Sequence, residues 1–139
     1  MKKLACITIA ILTLVCLMCA CGNHTDKTNL WETALYNDNT EIGTGAKTVF
    51  LEVIAEDKAV TFTVKTDKNN LEEALAEHSL ISGEKGPYGM YVKFVNGIEA
   101  DYDKDKTYWS LSKNGEYMTT GVSDTNISDG DKYEFTYTK

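Results

Sequence analysis

Arginine is absent from this chain of 139 residues, and all 14 basic residues are lysines. The chain also carries 21 acidic residues, which gives it a formal net charge of −7. Affinity for nucleic acids comes largely from neutralising phosphates, and an acidic surface without guanidinium groups is poorly suited to that task. The same charge disfavours electrostatic attachment to an anionic membrane. The composition therefore argues against a nucleic-acid-binding protein and against a protein held on lipid by charge alone.

Cysteine is absent after residue 21, although four cysteines precede that point. The remaining chain therefore has no disulfide, no zinc–thiolate site and no cysteine nucleophile. Its stability must come from an apolar core. The 119 residues that follow residue 20 are enough for one domain that buries such a core.

Groups that commonly perform catalysis are scarce. The two histidines are His24, in a polar stretch, and His78, at the end of a predicted helix, where a structural role is common. No Gly-x-Ser-x-Gly elbow is present. The run Gly45-Ala46-Lys47-Thr48 lacks the adjacent Gly-Lys pair of a phosphate-binding loop and leads into a predicted strand. The sequence therefore predicts a protein that is not an enzyme, with no catalytic or metal-ligating residues and no required cofactor.

The first 20 residues have the character of an export signal. Lys2 and Lys3 provide a positive start, an apolar stretch follows from Leu4 to Leu17, and Ala20 is a small residue at the cleavage position. The apolar stretch is shorter than the ~20 residues that span a bilayer, so a removed signal is favoured over a membrane helix.

The signal ends in Leu17-Met18-Cys19-Ala20-Cys21, which resembles the lipobox of bacterial lipoproteins. This resemblance implies that residues 1–20 are removed and that Cys21 becomes the lipid-carrying first residue. Removal of the two lysines in the signal would change the net charge from −7 to −9. The alternative is an ordinary cleaved signal with an incidental cysteine. The lipidated form would lie on the outer face of the bacterial cytoplasmic membrane.

Residues 21–45 are predicted to form a lipid-anchored polar tether and an N-terminal segment. Residues 22–29 are polar and without periodicity, as in a flexible spacer. The apolar positions between Leu30 and Tyr36 fit either a short helical turn or an extended segment on the domain. Residues 37–45 are rich in turn formers.

Residues 46–139 are predicted to form the folded domain, with an α+β fold. Asn70 can cap a helix whose face carries Leu71, Ala74, Leu75 and His78. Apolar runs and alternating patterns predict strands at 48–55, 60–64, 90–95, 108–112, 116–120 and 132–138. A hairpin, one helix and several further strands indicate a mixed sheet with one helix across a face.

Several exposed aromatic and sulfur-containing side chains are candidates for contact with a ligand. Tyr88 follows Gly86-Pro87, Tyr108 lies on the outer strand face, and Tyr117 and Met118 follow a hairpin turn. Trp109 is also a candidate, although its face is shared with Leu111 and a place in the core is the favoured alternative.

The run Asp101-Tyr102-Asp103-Lys104-Asp105 places three carboxylates at alternate positions, a pattern that can bind Ca²⁺. It lacks the Gly and Glu that an EF-hand loop needs at its sixth and twelfth positions, and its lysines offset the charge. A solvated loop is therefore the favoured interpretation.

Two sets of short motifs, in this order and spacing, resemble the DUF4430 family over roughly residues 46–138. They are Thr66-Asp67 leading into Leu71-Glu72-Glu73-Ala74-Leu75, and then Tyr88-Gly89-Met90-Tyr91-Val92, Val95-Asn96-Gly97, Tyr108-Trp109, Asn114-Gly115-Glu116, Gly121-Val122 and Asp129-Gly130-Asp131.

That family is similar to the C-terminal β-domain of transcobalamin and intrinsic factor. The resemblance implies a β-grasp-like fold, with one helix packed on a small mixed or antiparallel sheet. It also implies an extracytoplasmic module that binds a small molecule, such as cobalamin or a related corrinoid, through loops and hairpin edges. Because the carriers enclose their ligand with a helical domain as well, another subunit or an uptake transporter would supply the second wall here. The alternative is a protein–protein interaction module on the cell surface without a small-molecule pocket.

Lipidation of Cys21 is the first testable prediction. Mass spectrometry of the N-terminal peptide of the native protein should find residue 21 as the first residue, carrying acyl chains. The variant Cys21→Ser should move the protein from the membrane to the soluble fraction, because at least two acyl chains are needed for stable anchoring. Cys19→Ser should leave the attachment unchanged. A native protein with residues 1–20 still present would contradict the prediction.

Overall fold

The computed structural model describes residues 29–139 of the protein. The predicted signal and Cys21 lie outside these residues. Within residues 29–139, no helix is long and apolar enough to cross a membrane. The elements in chain order are a 3₁₀ helix (Leu30–Thr33), β1 (Thr40–Gly43), β2 (Lys47–Ala55), β3 (Lys58–Thr66), α1 (Leu71–Ala76), β4 (Ile81–Gly86), β5 (Gly89–Val95), β6 (Ile98–Glu99), α2 (Tyr102–Asp105), β7 (Tyr108–Lys113), β8 (Glu116–Tyr117), a second 3₁₀ helix (Val122–Asp124) and β9 (Lys132–Thr138).

Strands β2 and β3 form the longest hairpin of the protein. Their side chains alternate between buried and partly exposed along the whole length, so one face of the hairpin is buried. The turn between them places Glu56 at a φ of 55°. The register pairs Val49 with Val64 and Leu51 with Phe62, which brings the large apolar side chains together on the buried face. This hairpin confirms the strands predicted at 48–55 and 60–64.

The hairpin is extended on both sides into a six-stranded sheet with the order β1-β3-β2-β9-β7-β8. Strand β1 runs parallel to β3, and β9 runs parallel to β2. Strand β7 is antiparallel to β9, and the short strand β8 returns along β7 after the turn Asn114-Gly115. The C-terminal strand therefore lies between the two hairpins of the sheet and joins them.

A second layer covers one face of this sheet. It contains α1, the two 3₁₀ helices and a three-stranded antiparallel sheet with the order β4-β5-β6. Helix α1 packs against β3 and β4, and β5 packs against β7. The apolar core lies between the two layers, and its largest fully buried side chains are Phe62, Phe135, Leu51, Leu71, Leu75, Leu80, Ile81 and Ile98.

Helix α1 is positioned by its cap. The side chain of Asn70 accepts hydrogen bonds from the backbone N–H groups of Glu72 and Glu73, as predicted for a cap at this position. Leu71, Ala74 and Leu75 are buried, but the helix has only six residues and ends at Ala76. His78 therefore lies beyond the helix rather than on its last turn.

The N-terminal segment is fixed to the domain by two buried side chains. A 3₁₀ turn at Leu30–Thr33 buries Trp31, whose indole N–H donates to the carbonyl of Ala55 at 2.9 Å. The fully buried amide of Asn96 accepts from the N–H of Tyr36 at 3.0 Å and donates to the carbonyl of Tyr36 at 2.8 Å. The helical-turn alternative for this segment is therefore the one observed at its start, and an extended piece follows.

The predicted fold class, an α+β β-grasp-like fold with one helix on a small sheet, is wrong. The described part of the protein is mostly β, with sheets of six and three strands and two short helices. The difference includes three strands that the sequence patterns did not predict: the two-residue strand β6, and β1 and β4, which lie in glycine-containing stretches. Local propensity disfavours β1 and β4, yet backbone pairing with β3 and β5 stabilises them.

Replacing Asn96 should destabilise the protein strongly. Asn96→Ala leaves two partly buried backbone groups of Tyr36 without their side-chain partner and places alanine at a φ of 52°. We expect a loss of about 2–4 kcal/mol in the free energy of unfolding, measured by chemical denaturation. Asn114→Ala is the matched control, because Asn114 also precedes a glycine and has a φ of 50° but is exposed. Equal losses for the two variants would contradict the role given to the Asn96 amide.

Candidate functional site

The hairpin between β4 and β5 presents the most exposed large hydrophobic side chain of the described residues. Gly86 pairs with Gly89 across the turn, so Pro87 and Tyr88 form its tip. Proline sets the φ angle that the first turn position requires, and Gly89 takes a φ of 93°. The side chain of Tyr88 is 88% exposed. We call residues 81–95 the Tyr88 hairpin.

Ser123, in the second 3₁₀ helix, joins this hairpin to α1 within the second layer. Its hydroxyl accepts from the N–H of Met90 at 2.8 Å and donates to the carboxylate of Glu72 on α1. A Cβ at Gly89 would lie 2.3 Å from the hydroxyl oxygen of Ser123, so only glycine permits this approach. The ammonium of Lys85 lies 3.5 Å from the same Glu72 carboxylate. The tip is therefore held in place before any ligand arrives, which lowers the entropic cost of binding.

The predicted contact residues do not form one cluster. Tyr117 is the cross-strand partner of Ser112, and Tyr108 shares the strand face of Ser112. Tyr108 and Tyr117 therefore lie on the same face of the large sheet, about 13 Å apart along β7. That face has no covering layer among the described residues. The Tyr88 hairpin belongs to the small sheet in the other layer.

Trp109 and Met118 point toward the core layer. Trp109 is 8% exposed, its indole N–H lies 3.3 Å from the carbonyl of Ile98, and its ring meets those of Phe135 and Tyr137 edge-on. Met118 is half-buried and packs against the core. The strand-face pattern of the sequence had favoured this place for Trp109, and a direct ligand contact by its ring is sterically restricted here.

The acidic run at 101–105 forms a short capped helix rather than an open loop. The side chain of Asp101 accepts from the N–H groups of Asp103 and Lys104 and lies 3.4 Å from the ammonium of Lys93. Burial raises the pKa of Asp101, but the hydrogen bonds from Lys93 and the backbone outweigh it and lower the pKa overall. Asp105 accepts from the hydroxyl and the N–H of Thr107.

These carboxylates are thus used in local structure. Among residues 29–139, no group of three or more histidine, cysteine, aspartate or glutamate side chains is arranged to hold a metal ion. His78 is half-buried, with Nε2 lying 3.1 Å from a carboxylate oxygen of Glu77. His24 lies outside the described residues.

Two concave regions among residues 29–139 are large enough to be considered as binding sites. The larger, about 1090 Å³, lies between the 3₁₀ helix at Leu30–Thr33, the β2–β3 turn and the end of β9. In it, the ammonium of Lys58 lies over the ring of Trp31, 4.6 Å from the ring centre. The smaller, about 460 Å³, lies on the uncovered face of the large sheet and is lined by Phe50, Glu52, Thr61, Asn114, Gly115, Lys132, Tyr133 and Glu134.

Sequence reasoning missed most of the residues that shape these features. Ser123 and Glu72 are distant in sequence, and only the fold brings them together. The strands β2 and β9 were predicted from their buried residues, whereas the partly exposed face of these strands carries Phe50, Glu52 and Glu134. Their alternation with the buried positions was visible in the sequence, but the pairing of β2 with β9 was not.

The comparisons with known proteins find one family model and two solved structures to which the chain is similar. A family model described as a domain of unknown function, DUF4430, matches residues 69–139. A candidate metal-binding protein from Ruminococcus gnavus ATCC 29149, known from a crystal structure at 1.30 Å, is 34% identical, with a TM-score of 0.64. The match covers 68% of this chain and 98% of that protein.

Haptocorrin, crystallised in complex with Cbi, shares the fold at 20% identity and a TM-score of 0.54. The match covers 70% of this chain but only 26% of haptocorrin, so the chain spans about a quarter of that carrier. No curated protein matches the chain.

Asp131, in the turn beside the smaller concave region, should make the stability of the protein depend on pH. Burial raises the pKa of Asp131, but hydrogen bonds from the Ser128 N–H, Lys113 and Tyr133 outweigh it and lower the pKa overall. A lowered pKa in the folded state stabilises the protein above the unfolded pKa of about 4, and this stabilisation is lost as the pH falls through the folded value.

Asp131→Asn should therefore cost about 1–3 kcal/mol at neutral pH. The difference from the unmodified protein should shrink below about pH 4. Urea denaturation at a series of pH values measures both quantities, with Asp57→Asn, at an exposed position of the β2–β3 turn, as a comparison. A difference that is constant from neutral pH to below pH 3 would contradict the ionic role of Asp131.

Proposed function

The chain belongs to the DUF4430 family, and from this premise we propose that it is a lipid-anchored module that binds a small molecule outside the cytoplasmic membrane. The proposal is supported by the fold that the chain shares with two proteins named for binding. The observation that carries it is the Tyr88 hairpin, which presents an exposed aromatic side chain from a turn held by Ser123. Rigid exposed tyrosines contribute large contact areas at a small cost in conformational entropy.

The ligand class that we propose is a corrinoid or a related cofactor. Haptocorrin was crystallised with Cbi, which is cobinamide, and its matching part has the fold of this chain. A corrinoid brings its own cobalt, so its capture does not require a cluster of protein ligands. The proposal is in this way also compatible with the metal-binding description of the Ruminococcus gnavus protein.

The binding surface would form one wall of the ligand site. Small-molecule sites usually bury most of their ligand, and a protruding hairpin on one domain encloses only part of a molecule as large as a corrinoid. Because the chain spans about a quarter of haptocorrin, the second wall would come from another protein. We propose that this protein is an uptake transporter in the same membrane, to which the anchored module would pass its ligand.

The anchoring part of the proposal rests on the sequence of the signal. Lipidation at Cys21 would place the domain on the outer face of the bacterial cytoplasmic membrane. Residues 21–29 would allow the domain to move up to about 30 Å from the anchor when extended. Such a tether raises the effective concentration of the module near a transporter.

Titration with cobinamide and cobalamin tests this function. The chain from residue 21 onward, with Cys21→Ser to keep it soluble, should shift the absorbance of at least one of the two corrinoids and melt at a higher temperature in its presence. Tyr88→Ala should weaken the binding at least about fivefold, because it removes the aromatic contact and leaves the turn intact.

Tyr102→Ala is the matched control, since Tyr102 is 49% exposed and lies on α2. We expect it to bind like the unmodified protein. Absence of any shift at high micromolar corrinoid would overturn the proposed ligand class. Equal changes in corrinoid affinity for the two tyrosine variants would show that the Tyr88 hairpin is not part of the binding site.

A further inference from the structure

The large sheet has one face that no described residue covers. Along β2, β3, β9 and β7, every second side chain points away from the core, and none of these side chains is buried. We call this the open face. Its members are Glu41, Thr48, Phe50, Glu52, Ile54, Ala59, Thr61, Thr63, Lys65, Tyr108, Ser110, Ser112, Tyr117, Lys132, Glu134, Thr136 and Thr138.

Most of this surface has the composition of a sheet face that is exposed to water. Threonine and serine have polar side chains that are readily hydrated, and threonine also has a strong preference for strands. A face built only from such residues would need no partner. Two features in its centre depart from this pattern, and both lie on β2 and β9.

The first feature is a pair of like charges in direct register. Glu52 of β2 and Glu134 of β9 are cross-strand partners on the open face. Side chains so placed have Cβ atoms about 5 Å apart, and like charges at this distance destabilise a sheet. Among residues 29–139, no lysine ammonium lies within 4.0 Å of either carboxylate. The polar contact of the Glu134 carboxylate is with the hydroxyl of Thr136, at 2.8 Å.

The second feature is the apolar side chain on each side of Glu52. Phe50 and Ile54 lie two residues before and after it on the same strand face, so each is about 6.6 Å away along β2. Both are only half-buried. Phe50, Glu52 and Glu134 also line the concave region of about 460 Å³. The centre of the open face thus presents an apolar, an anionic and a second apolar position in one line.

The size of the face fits a protein partner. The six strands contain 37 residues in all, and each residue occupies about 3.3 Å along its strand and ~4.8 Å across it, which gives a face on the order of 600 Å². A standard protein–protein interface buries about 800 Å² on each partner. A small cation would neutralise the two glutamates but leave Phe50 and Ile54 in water.

We propose that the open face binds a partner protein that places a lysine or arginine side chain between Glu52 and Glu134, with apolar side chains over Phe50 and Ile54. The cation relieves the repulsion between the two carboxylates, and removal of the flanking apolar surface from water adds to the affinity. This surface is separate from the Tyr88 hairpin, so its occupation is independent of the proposed small-molecule ligand.

Lys132 favours one orientation of the bound partner protein on the open face. It is the cross-strand neighbour of Phe50 and is exposed, so it lies at one end of the apolar–anionic–apolar line. Lys65, the other lysine on this face, already lies 3.9 Å from Glu41. A partner with a carboxylate opposite Lys132 and a cation opposite the two glutamates is favoured over the reverse orientation.

A peptide with the complementary pattern tests the proposal. The probe is the peptide Gly-Val-Ser-Lys-Ser-Val-Gly, whose second, fourth and sixth residues are apolar, cationic and apolar. The control peptide has norleucine in place of lysine. Each is titrated to millimolar concentration into the ¹⁵N-labelled full chain in a neutral maltoside detergent. The lysine peptide should shift the amide signals of residues 50–54 and 132–136 with a saturable curve, and the norleucine peptide should bind at least about fivefold more weakly.

The double variant Glu52→Gln and Glu134→Gln should bind the lysine peptide at least about fivefold more weakly than the unmodified protein. The melting temperature of the variant protein should rise by about 1–5 °C, because the repulsion between the two carboxylates is removed. Glu116→Gln is the matched control, because Glu116 is an exposed acid at the edge of the sheet and off the open face. It should change neither quantity. Absence of saturable binding, or equal weakening by the control, overturns the proposal.

Two other occupants are distinguished in the same samples. If sedimentation finds a dimer that the double variant dissociates, the occupant is a second copy of this chain and the proposed partner is wrong. If Lys27→Ala alone moves the signals of residues 50–54 and increases the affinity for the peptide, the occupant is the chain's own N-terminal segment, which also overturns the proposal.

Discussion

The pairing of the C-terminal strand β9 with both β2 and β7 is the interaction on which the rest of the structure depends. It joins a hairpin from the first half of the domain to a hairpin from the second half, across about 80 residues of sequence. A slip of one residue in this register would move Tyr133 and Phe135 out of the core and bring Glu134 into it. Burial of these aromatic rings therefore fixes which residues of β9 face solvent. The hydrogen bond from the N–H of Phe50 to the carbonyl of Asp131, at 2.8 Å, marks the start of the pairing.

One-sided burial follows from this arrangement, so the large sheet has a covered side and an uncovered side. The covered side carries α1, the small sheet and the 3₁₀ helices, and here polar side chains act as ties: Asn70 caps α1, Asn96 holds the N-terminal segment, and Ser123 holds the Tyr88 hairpin. On the uncovered side, side-chain contacts join neighbouring strands, as between the Ser110 hydroxyl and the Thr136 carbonyl, and the side chains lie in the order that the strand register imposes. A domain without disulfides thus gains local rigidity where a loop must be positioned, from buried hydrogen bonds rather than from covalent links.

The sequence predicted the parts of the fold that local patterns determine. Apolar runs and alternating patterns identified β2, β3, β5, β7 and β9, the Asn-Gly pairs identified two turns, and Asn70 identified the start of α1. Strands β1, β4 and β6 were not predicted. Strand β6 has only two residues, and the glycines and polar residues of β1 and β4 have low strand propensity, so these two strands depend on pairing with β3 and β5. The error in fold class has the same origin, since the second sheet needs β4. Trp109 is an example of a position that the local pattern did predict, because it shares a strand face with Leu111 and is buried in the structure.

The candidate surfaces were less predictable than the fold, and the reason is physical. A binding surface is made by residues from separate strands, so it depends on long-range register, which no local pattern encodes. Glu52 looks ordinary in the sequence, and so does Glu134; only the parallel pairing of β2 with β9 makes them neighbours. The cost of that juxtaposition is small beside the burial of Leu51, Val53 and Phe135 on the opposite face of the same strands, so the fold tolerates it. A strained surface of this kind persists only because the core overrides it, and for that reason the interior of the sheet, rather than the exposed side chains themselves, determines which charges meet at the surface.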